Sequence, residues 1–236
     1  MKKQKRIWSI VLTITLVLSI IAPLSSIAES VTTNSVGKAG SDYSSLLNEA
    51  KQWVVVRNKP FGGSHYAYTE GLSDEMQQAG PEGNDGGDLS FRPGSEMLIM
   101  SLEEKGGKLE TTERVILSSG TGVIRDPDVS EDGTMVVFSW KKNKTDDYHL
   151  YTMDLTVANP EATIKQLTFG SGTADFEPKF LANGKIVFSS SRVIENIDCW
   201  KVPVSNLYTC DLDGGNMIRL GYDQEHTTYP TVTSDG

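Results

Sequence analysis

Three residues that could bind a ligand stand at matching points of a long sequence repeat. Asp126, Glu177 and Tyr229 each precede a proline, and they are 51 and 52 residues apart. Carboxylates and a phenol around one opening could bind a small ligand, a cation or a peptide. The alternative is that Asp126 caps its loop and the other two side chains are only solvated. We predict that these three residues rim the mouth of a central channel.

His65 and Trp200 are further candidates for ligand binding, because each lies in a long loop. Trp200 could offer an aromatic surface to a sugar or peptide. His65 and His226 are candidates for metal ligands beside a carboxylate, although the chain has no His-x-x-x-His spacing. The alternative is that these histidines are separate surface or hydrogen-bonding residues. Trp140 ends an apolar segment, which favours packing between strands over binding.

The sequence offers little support for catalysis. No Gly-x-Ser-x-Gly elbow marks a nucleophilic serine, and the Gly-rich segment 82–88 lacks the Lys-Ser/Thr of a phosphate loop. No Cys-x-x-Cys-His segment for c-type haem is present, because Trp200 follows Cys199 and Asp211 follows Cys210. No cofactor is evident in this chain. Enzyme activity stays undecided at this point, and binding is favoured.

The N-terminus predicts export. A basic start, MKKQKR, precedes an apolar run over 7–24, and the small residues Ser26 and Ala28 fit a signal-peptidase site. We interpret 1–28 as a secretory signal peptide. The mature chain is then periplasmic or extracellular, with no stable membrane span after cleavage. An uncleaved membrane anchor is the alternative, since the apolar run approaches the length of a bilayer span.

The mature chain is acidic. Its formal net charge is −9, and removing 1–28, which has four basic residues and no acidic ones, changes it to −13. Nucleic acid and anionic lipid both need a basic surface, so we expect a protein, peptide or small molecule as the partner. In an exported chain Cys199 and Cys210 could form a disulfide, but the sequence carries no information on their geometry.

The repeat extends well beyond the prolines. The segment HLYTMDL at 149–155 returns as NLYTCDL at 206–212, and 125–141 aligns with 176–192 and with 228–236. A period of about 50 residues is typical of solenoids, propellers and arrays. Each unit contains four short β-rich segments, and Asp-Gly or Asn-Gly marks a hairpin. We therefore predict an all-β fold, a β-propeller of four-stranded blades.

The first unit is less regular than the others. Its second, third and fourth strands are predicted at 53–57, 96–102 and 114–119, which leaves it without an inner strand of its own. An alternative assignment places a hairpin turn at Pro93-Gly94. The predicted domains are a signal peptide at 1–28, an N-terminal segment at 29–52 with a short helix over 43–52, and propeller blades at 53–236.

The predicted ring is incomplete. About three blades are present, whereas closed propellers have about four to eight. Open strand edges are normally avoided, so we expect further blades of a longer chain, or another chain, to complete the ring. The topology gathers three long loops, 57–95, 141–148 and 192–205, on one side, which we call the loop-rich face. We expect ligand binding on this face.

These motifs resemble the TolB-like, WD-repeat-like β-propeller family, in which Pro-x-x-Ser-x-Asp-Gly precedes an apolar strand and then Leu-Tyr-x-x-Asp. The matching segments are 127–133, 150–154 and, for the second half of the motif, 207–211. Runs such as 123–142 and 199–214 are most similar to proteins related to the middle propeller domain of the hydrazine synthase alpha subunit. The resemblance implies a binding module, or the propeller portion of a larger haem- or metal-dependent enzyme.

Overall fold

The structure is a computed structural model that describes residues 50–59, 91–193, 195–196, 198 and 203–233, and the backbone of 8–9 and 34–36. It is all-β: the strands form three sheets that follow one another along the chain. Most of the predicted helix over 43–52 lies outside the described residues, and Gln52 already belongs to a strand. Within the described ranges, no helix is long and apolar enough to cross a membrane.

The first sheet is blade 1, and its strands are β1 (Trp8–Ser9), β2 (Asn34–Val36), β3 (Gln52–Arg57), β4 (Ser95–Lys105) and β5 (Lys108–Ser119). Their order in the sheet is β1-β3-β4-β5-β2. Strands β3, β4 and β5 are neighbours in this order, as predicted for the second, third and fourth strands of a blade. The short strand β1 lies in the predicted signal peptide, and β2 lies in the predicted N-terminal segment 29–52, ahead of the helix expected over 43–52.

A long hairpin of β4 and β5 dominates blade 1. The two strands have 11 and 12 residues and are longer than predicted. Gly106 and Gly107 join them with φ values of 60° and 75°, and positive φ at both central residues is what a tight two-residue hairpin turn requires. The alternative hairpin at Pro93-Gly94 is not formed, because β4 begins only at Ser95 and pairs with β3.

Blades 2 and 3 are four-stranded antiparallel sheets in sequential strand order. Blade 2 comprises β6 (Val123–Val129), β7 (Met135–Lys141), β8 (His149–Asp154) and β9 (Lys165–Gln166), with a 3-10 helix at Pro160–Thr163 before β9. Blade 3 comprises β10 (Asp175–Phe180), β11 (Lys185–Ser190), β12 (Asn206–Asp211) and β13 (Ile218–Arg219). The outer strands β9 and β13 have two residues each, fewer than the segments IKQLTF at 164–169 and MIRLG at 217–221 predict.

The two recurring LYT segments occupy the same place in their blades. Phe138 stands opposite Tyr151 in blade 2, and Phe188 stands opposite Tyr208 in blade 3. The ring centroids are 5.9 and 6.1 Å apart, a distance at which aromatic pairs stabilise a sheet. The repeat in the sequence is therefore a repeat of cross-strand packing.

Each sheet packs face to face against the next. In β7, Val136 and Phe138 pack against blade 1, whereas Val137 belongs to the cluster shared with Ile186 and Phe188 of blade 3. Because side chains alternate between the faces of a strand, an apolar strand covered on both sides has an unbroken apolar run. Stacked antiparallel sheets in chain order are blades of an incomplete propeller ring.

Candidate functional site at the repeat bulges

Each inner strand contains a β-bulge at the repeat proline. In β6, Arg125 pairs with Ser139 and Asp128 pairs with Val137. Between these pairs, two residues of β6 lie opposite one residue of β7. The same register shift recurs in β10. Proline suits such a position because it has no N–H to donate to the sheet. A bulge also redirects the side chain that it carries, and it often lies near functional sites.

The residue before each proline has a left-handed backbone. The φ angles are 52° at Asp126, 56° at Glu177 and 57° at Tyr229. Among the described residues, Asn216 is the one other non-glycine residue with positive φ. This region is uncommon for residues with a Cβ and persists only where the surrounding structure holds it. The fold imposes the same unusual geometry on three successive repeats.

Glu177 links three repeats through hydrogen bonds. Its buried Oε2 accepts from Ser189 Oγ at 2.9 Å and from the backbone N–H of Tyr229 at 2.6 Å. Its own backbone N–H donates to Ser139 Oγ at 3.2 Å. Glu177 therefore links blade 3 to blade 2 through its backbone N–H and to the start of the next unit through its carboxylate.

Arg125 neutralises part of the acidic charge at this point. Its Nε donates to Asp126 Oδ2 at 2.8 Å, and its Nη2 lies 3.8 Å from Glu177 Oε1. The guanidinium lies over the rings of Tyr148 and Phe176, 5.4 and 5.7 Å from their centroids. These cation–π contacts between blades 2 and 3 restrict the position of the guanidinium.

We call Arg125, Asp126, Glu177 and Tyr229 the bulge cluster. Burial raises the pKa of Glu177, and the negative charge of Asp126 raises it further, against the N–H of Tyr229, the guanidinium of Arg125 and the hydroxyl of Ser189. Two carboxylates share one guanidinium, so an added cationic group is favoured here. Tyr229 is 63% exposed, so its side chain is accessible to a ligand.

The structure brings together three of the five residues predicted to bind a ligand, namely Asp126, Glu177 and Tyr229. Their role in binding stays a prediction. His65 and Trp200 lie outside the described residues, and so does Cys199, the predicted disulfide partner of Cys210. Trp140 packs against the core between blades 1 and 2 and donates from Nε1 to Ser119 Oγ at 2.9 Å.

His226 lies at the start of the next unit. Its Nδ1 accepts from the backbone N–H of Ser205 at 3.1 Å, so in the neutral ring the proton is on Nε2. Burial lowers the pKa of His226, which favours that neutral form. In this tautomer Nε2 donates, whereas a metal ligand must offer a lone pair. In the part of the chain that the structure describes, no three His, Cys, Asp or Glu residues could hold a metal together.

Cys210 is a buried thiol on β12, and it forms no disulfide with the residues that the structure describes. Burial raises its pKa to about 11, so the group is a thiol at neutral pH and a poor nucleophile. Its side chain packs in the core between blades 2 and 3. Because Cys199 is outside the described residues, the disulfide stays a prediction.

Sequence reasoning missed Arg125, Ser139 and Ser189, which bind the predicted residues. A signal for the two serines was present: each follows the phenylalanine of an aligned apolar strand, in VVFSW and in IVFSS. Arg125 has no counterpart in the other repeats, where Phe176 and Thr228 occupy its position. Its role becomes visible only from the side chains that surround it.

Comparisons with known proteins found similar chains among solved structures. No family model and no curated protein matches it. TolB from Acinetobacter baumannii is similar over 60% of this chain and 33% of its own, at 21% identity and a TM-score of 0.42. A puromycin hydrolase is similar over 56% of this chain and 22% of its own, at 17% identity and a TM-score of 0.40.

A puromycin-hydrolyzing peptidase from Mycobacterium tuberculosis is similar over 57% of this chain and 19% of its own, at 12% identity and a TM-score of 0.39. The chain therefore spans at most a third of the length of these three proteins. At such TM-scores the similarity assigns neither a family nor an activity. The chain is an all-β protein built from the stacked blades of an incomplete propeller.

Proposed function

We propose that this chain is an exported β-propeller module that binds a protein, a peptide or a small ligand on its loop-rich face and has no catalysis of its own. Export follows from the signal peptide predicted at 1–28, with a periplasmic or extracellular destination. The partner is neither nucleic acid nor a membrane, because the mature chain is acidic.

The observation that carries this proposal is the bulge cluster. Three equivalent residues of successive repeats keep an uncommon backbone conformation and meet around Arg125. Backbone strain of this kind persists most often at functional sites, where it fixes side chains in advance of binding. Tyr229 is the exposed member, and the side chains of Arg125 and Asp126 are 17% and 16% exposed beside the buried carboxylate of Glu177. This arrangement suits recognition of a polar or cationic group.

The test is binding of fluorescent peptide pools, one basic, one acidic and one neutral, by fluorescence anisotropy. We expect the basic pool to bind best. Alanine at Asp126, Trp200 or His65 should weaken binding by about tenfold or more if the residue contacts the peptide. Because Ala is strained at the φ of 52° found at Asp126, Asp126→Asn is the conservative version.

The matched control is Asp132→Ala. Asp132 is an exposed carboxylate in the turn between β6 and β7, at the other end of the same two strands. Its replacement should leave binding unchanged, and circular dichroism should show every variant folded. Unchanged binding in all three loop-rich-face variants would remove this face as the binding site.

A second candidate is the propeller portion of a larger haem- or metal-dependent enzyme related to the hydrazine synthase alpha subunit. It is supported by the resemblance of runs such as 123–142, and the chain itself contains no Cys-x-x-Cys-His segment. The test is an absorption spectrum and metal analysis of the protein purified from its own host. A haem band or a stoichiometric metal would favour the enzyme, and a colourless metal-free protein would favour the binding module.

A further inference from the structure

The segment 226–229, which we call the docked segment, leads into the next unit and is bonded to blade 3. The backbone N–H of Thr227 donates to Ser205 O at 2.8 Å, and that of Tyr229 donates to Glu177 Oε2 at 2.6 Å. A third bond runs the other way, from the backbone N–H of Ser205 to Nδ1 of His226 at 3.1 Å. Blade 3 therefore holds the docked segment at two buried residues, Ser205 and Glu177.

Ser205 uses both of its main-chain groups on the docked segment. It lies directly before β12 and is fully buried, and its N–H and C=O bond to His226 and Thr227. A buried N–H that loses its acceptor is costly, so such groups are almost always paired. The Nδ1 atom of His226 satisfies the N–H of Ser205, and this bond favours the docked position of the segment.

His226 can accept this bond only while its Nδ1 carries no proton. In the neutral ring the proton is on Nε2, and Nδ1 offers a lone pair to the N–H of Ser205. In the protonated ring both nitrogens are donors. The Nδ1–H would then face the N–H of Ser205, two donors without an acceptor between them. The bond is lost, and the ring must turn away from Ser205.

Glu225 is the neighbouring charged group that acts on His226, and its negative charge favours the protonated ring. The other ionisable groups of this region have hydrogen-bond partners of their own among the described residues. Asp223 accepts from the hydroxyl of Thr227, and Asp198 accepts from the side chain of Gln224 at 2.9 Å. On blade 3, Arg219 donates to carbonyl and amide oxygens at 2.6 and 2.9 Å. Glu225 is therefore the carboxylate expected to tune the ring.

We propose that His226 is a pH-sensitive positioning residue, and that protonation of its ring releases the docked segment from Ser205 and with it the bond from Tyr229 to Glu177. His226 and Tyr229 are three residues apart, so the backbone transmits the release directly. Tyr229 belongs to the bulge cluster, and acid would therefore loosen the candidate binding site. This last step rests on the proposed function, whereas the release itself does not.

The direction of the pH dependence follows from where the ring is more easily protonated. Burial lowers the pKa of His226, against the charge of Glu225, so the ring takes up a proton more readily in the released segment than in the docked one. Docking is strongest above the ordinary histidine pKa of about 6.5 and is lost as pH falls through the lowered value. One proton is taken up on release, so the equilibrium shifts by at most about tenfold per pH unit.

Hydrogen exchange of single amides, measured by NMR on the full chain, tests the release. The amides of Ser205 and Thr227 should be protected at about pH 7.5. After correction for the intrinsic pH dependence of exchange, they should lose about tenfold of that protection by about pH 5. Amides of β7 (Met135–Lys141) are the internal reference and should stay protected at both pH values.

Two variants of the ring separate titration from packing. His226→Asn keeps an acceptor oxygen at the position of Nδ1 but takes up no proton, so protection should persist at about pH 5. His226→Phe has no acceptor and should leave Ser205 poorly protected at both pH values. Glu225→Gln removes the charge that favours the protonated ring, so the loss of protection should move to lower pH. The control is Glu131→Gln, the same change at an exposed residue after β6, which should leave the loss where it is.

The exchange and binding measurements have separate outcomes. Protection of Ser205 and Thr227 that persists while the ring of His226 titrates would overturn the proposal, and so would an equal loss in His226→Asn. The basic peptide pool should bind about tenfold more weakly at about pH 5 than at about pH 7.5, and His226→Asn should remove this difference. Absence of binding at both pH values would contradict the proposed function, while the exchange measurement would still decide the release.

Discussion

Blades 2 and 3 have the same strand order, the same phenylalanine–tyrosine pairs and the same bulge before the repeat proline. Their surroundings differ: Leu167 lies under the next blade at 3% exposure, and its equivalent Leu220 is 52% exposed. The pattern of pairing is thus a property of each repeat. Burial depends on the neighbouring blade, and it differs between Leu167 and Leu220, which occupy equivalent positions in the sequence repeat.

The largest expected difference between the two blades is at these leucines. Leu167→Ala removes buried methyl groups and leaves a cavity between the blades, so it should lower the free energy of unfolding by about 3 kcal/mol. Leu220→Ala should change it by about 0.5 kcal/mol or less in the single chain, where the side chain is half exposed. Urea denaturation at low protein concentration measures both. Equal losses would contradict the contrast in burial.

A smaller difference is expected at two turn glycines. Gly214, between β12 and β13, has φ of 86°, and a Cβ there would lie 2.0 Å from the carbonyl oxygen of Leu167 in blade 2. Gly184, in the β10–β11 turn, has φ of 77°, and a Cβ would meet nothing within 4 Å.

We therefore expect Gly214→Ala to cost about 2 to 3 kcal/mol and Gly184→Ala about 1 kcal/mol, because only the first adds a clash to the backbone strain. Thermal unfolding of the two variants makes the comparison. If Gly184→Ala lowered the melting temperature more than Gly214→Ala did, the close contact between the blade 3 turn and blade 2 would be contradicted.

The smallest expected effects are opposite pH dependences at two carboxylates, Glu177 in the bulge of β10 and Asp132 in the turn between β6 and β7. Burial raises the pKa of Glu177, so its contribution to stability is full below the ordinary carboxyl pKa and is lost as pH rises through the raised value. Hydrogen bonds from Ser130 and Thr134 lower the pKa of Asp132, whose contribution is lost as pH falls through that lowered value.

Melting temperatures between about pH 3 and pH 7 test this pair. Glu177→Gln should remove a loss of stability that accompanies rising pH, and Asp132→Asn should remove a loss that accompanies falling pH. In a plot of melting temperature against pH, the two substitutions should change the slope in opposite directions relative to the unchanged protein. A change of slope in the same direction for both would show that one of the two carboxylates is not in the environment described here.

Much of the fold was predictable, because it depends on local pattern. Apolar runs and hairpin glycines placed β7, β8, β11 and β12 within a residue of their observed bounds. The inner strands β6 and β10 were expected at 127–130 and 178–181, and they begin four and three residues earlier, because the pairing before the bulge leaves no local pattern. The outer strands β9 and β13 were overestimated, since pairing to a neighbour, and not composition, decides where an edge strand ends. The extension of β4 and β5 was underestimated, because it depends on a Gly-Gly turn and on register over a long distance.

The candidate site was predictable only in part. The positions before the repeat prolines could be identified because the repeat marks them, and the structure does bring Asp126, Glu177 and Tyr229 together. The serine and arginine partners could not be identified as such, since Ser139 reaches Glu177 from another strand and Arg125 spans two blades. Hydrogen bonds across 38 and 52 residues leave no local sign in the sequence.

The sequence by itself determined the repeat unit of this protein: four short strands, a glycine hairpin and a proline bulge, all set by backbone preferences of neighbouring residues. The tertiary structure alone decided which of two equivalent residues is buried and which carboxylate is desolvated. The physical reason is that burial and electrostatic shifts depend on what lies across a contact. Two equivalent segments differ in this respect as soon as their neighbours differ.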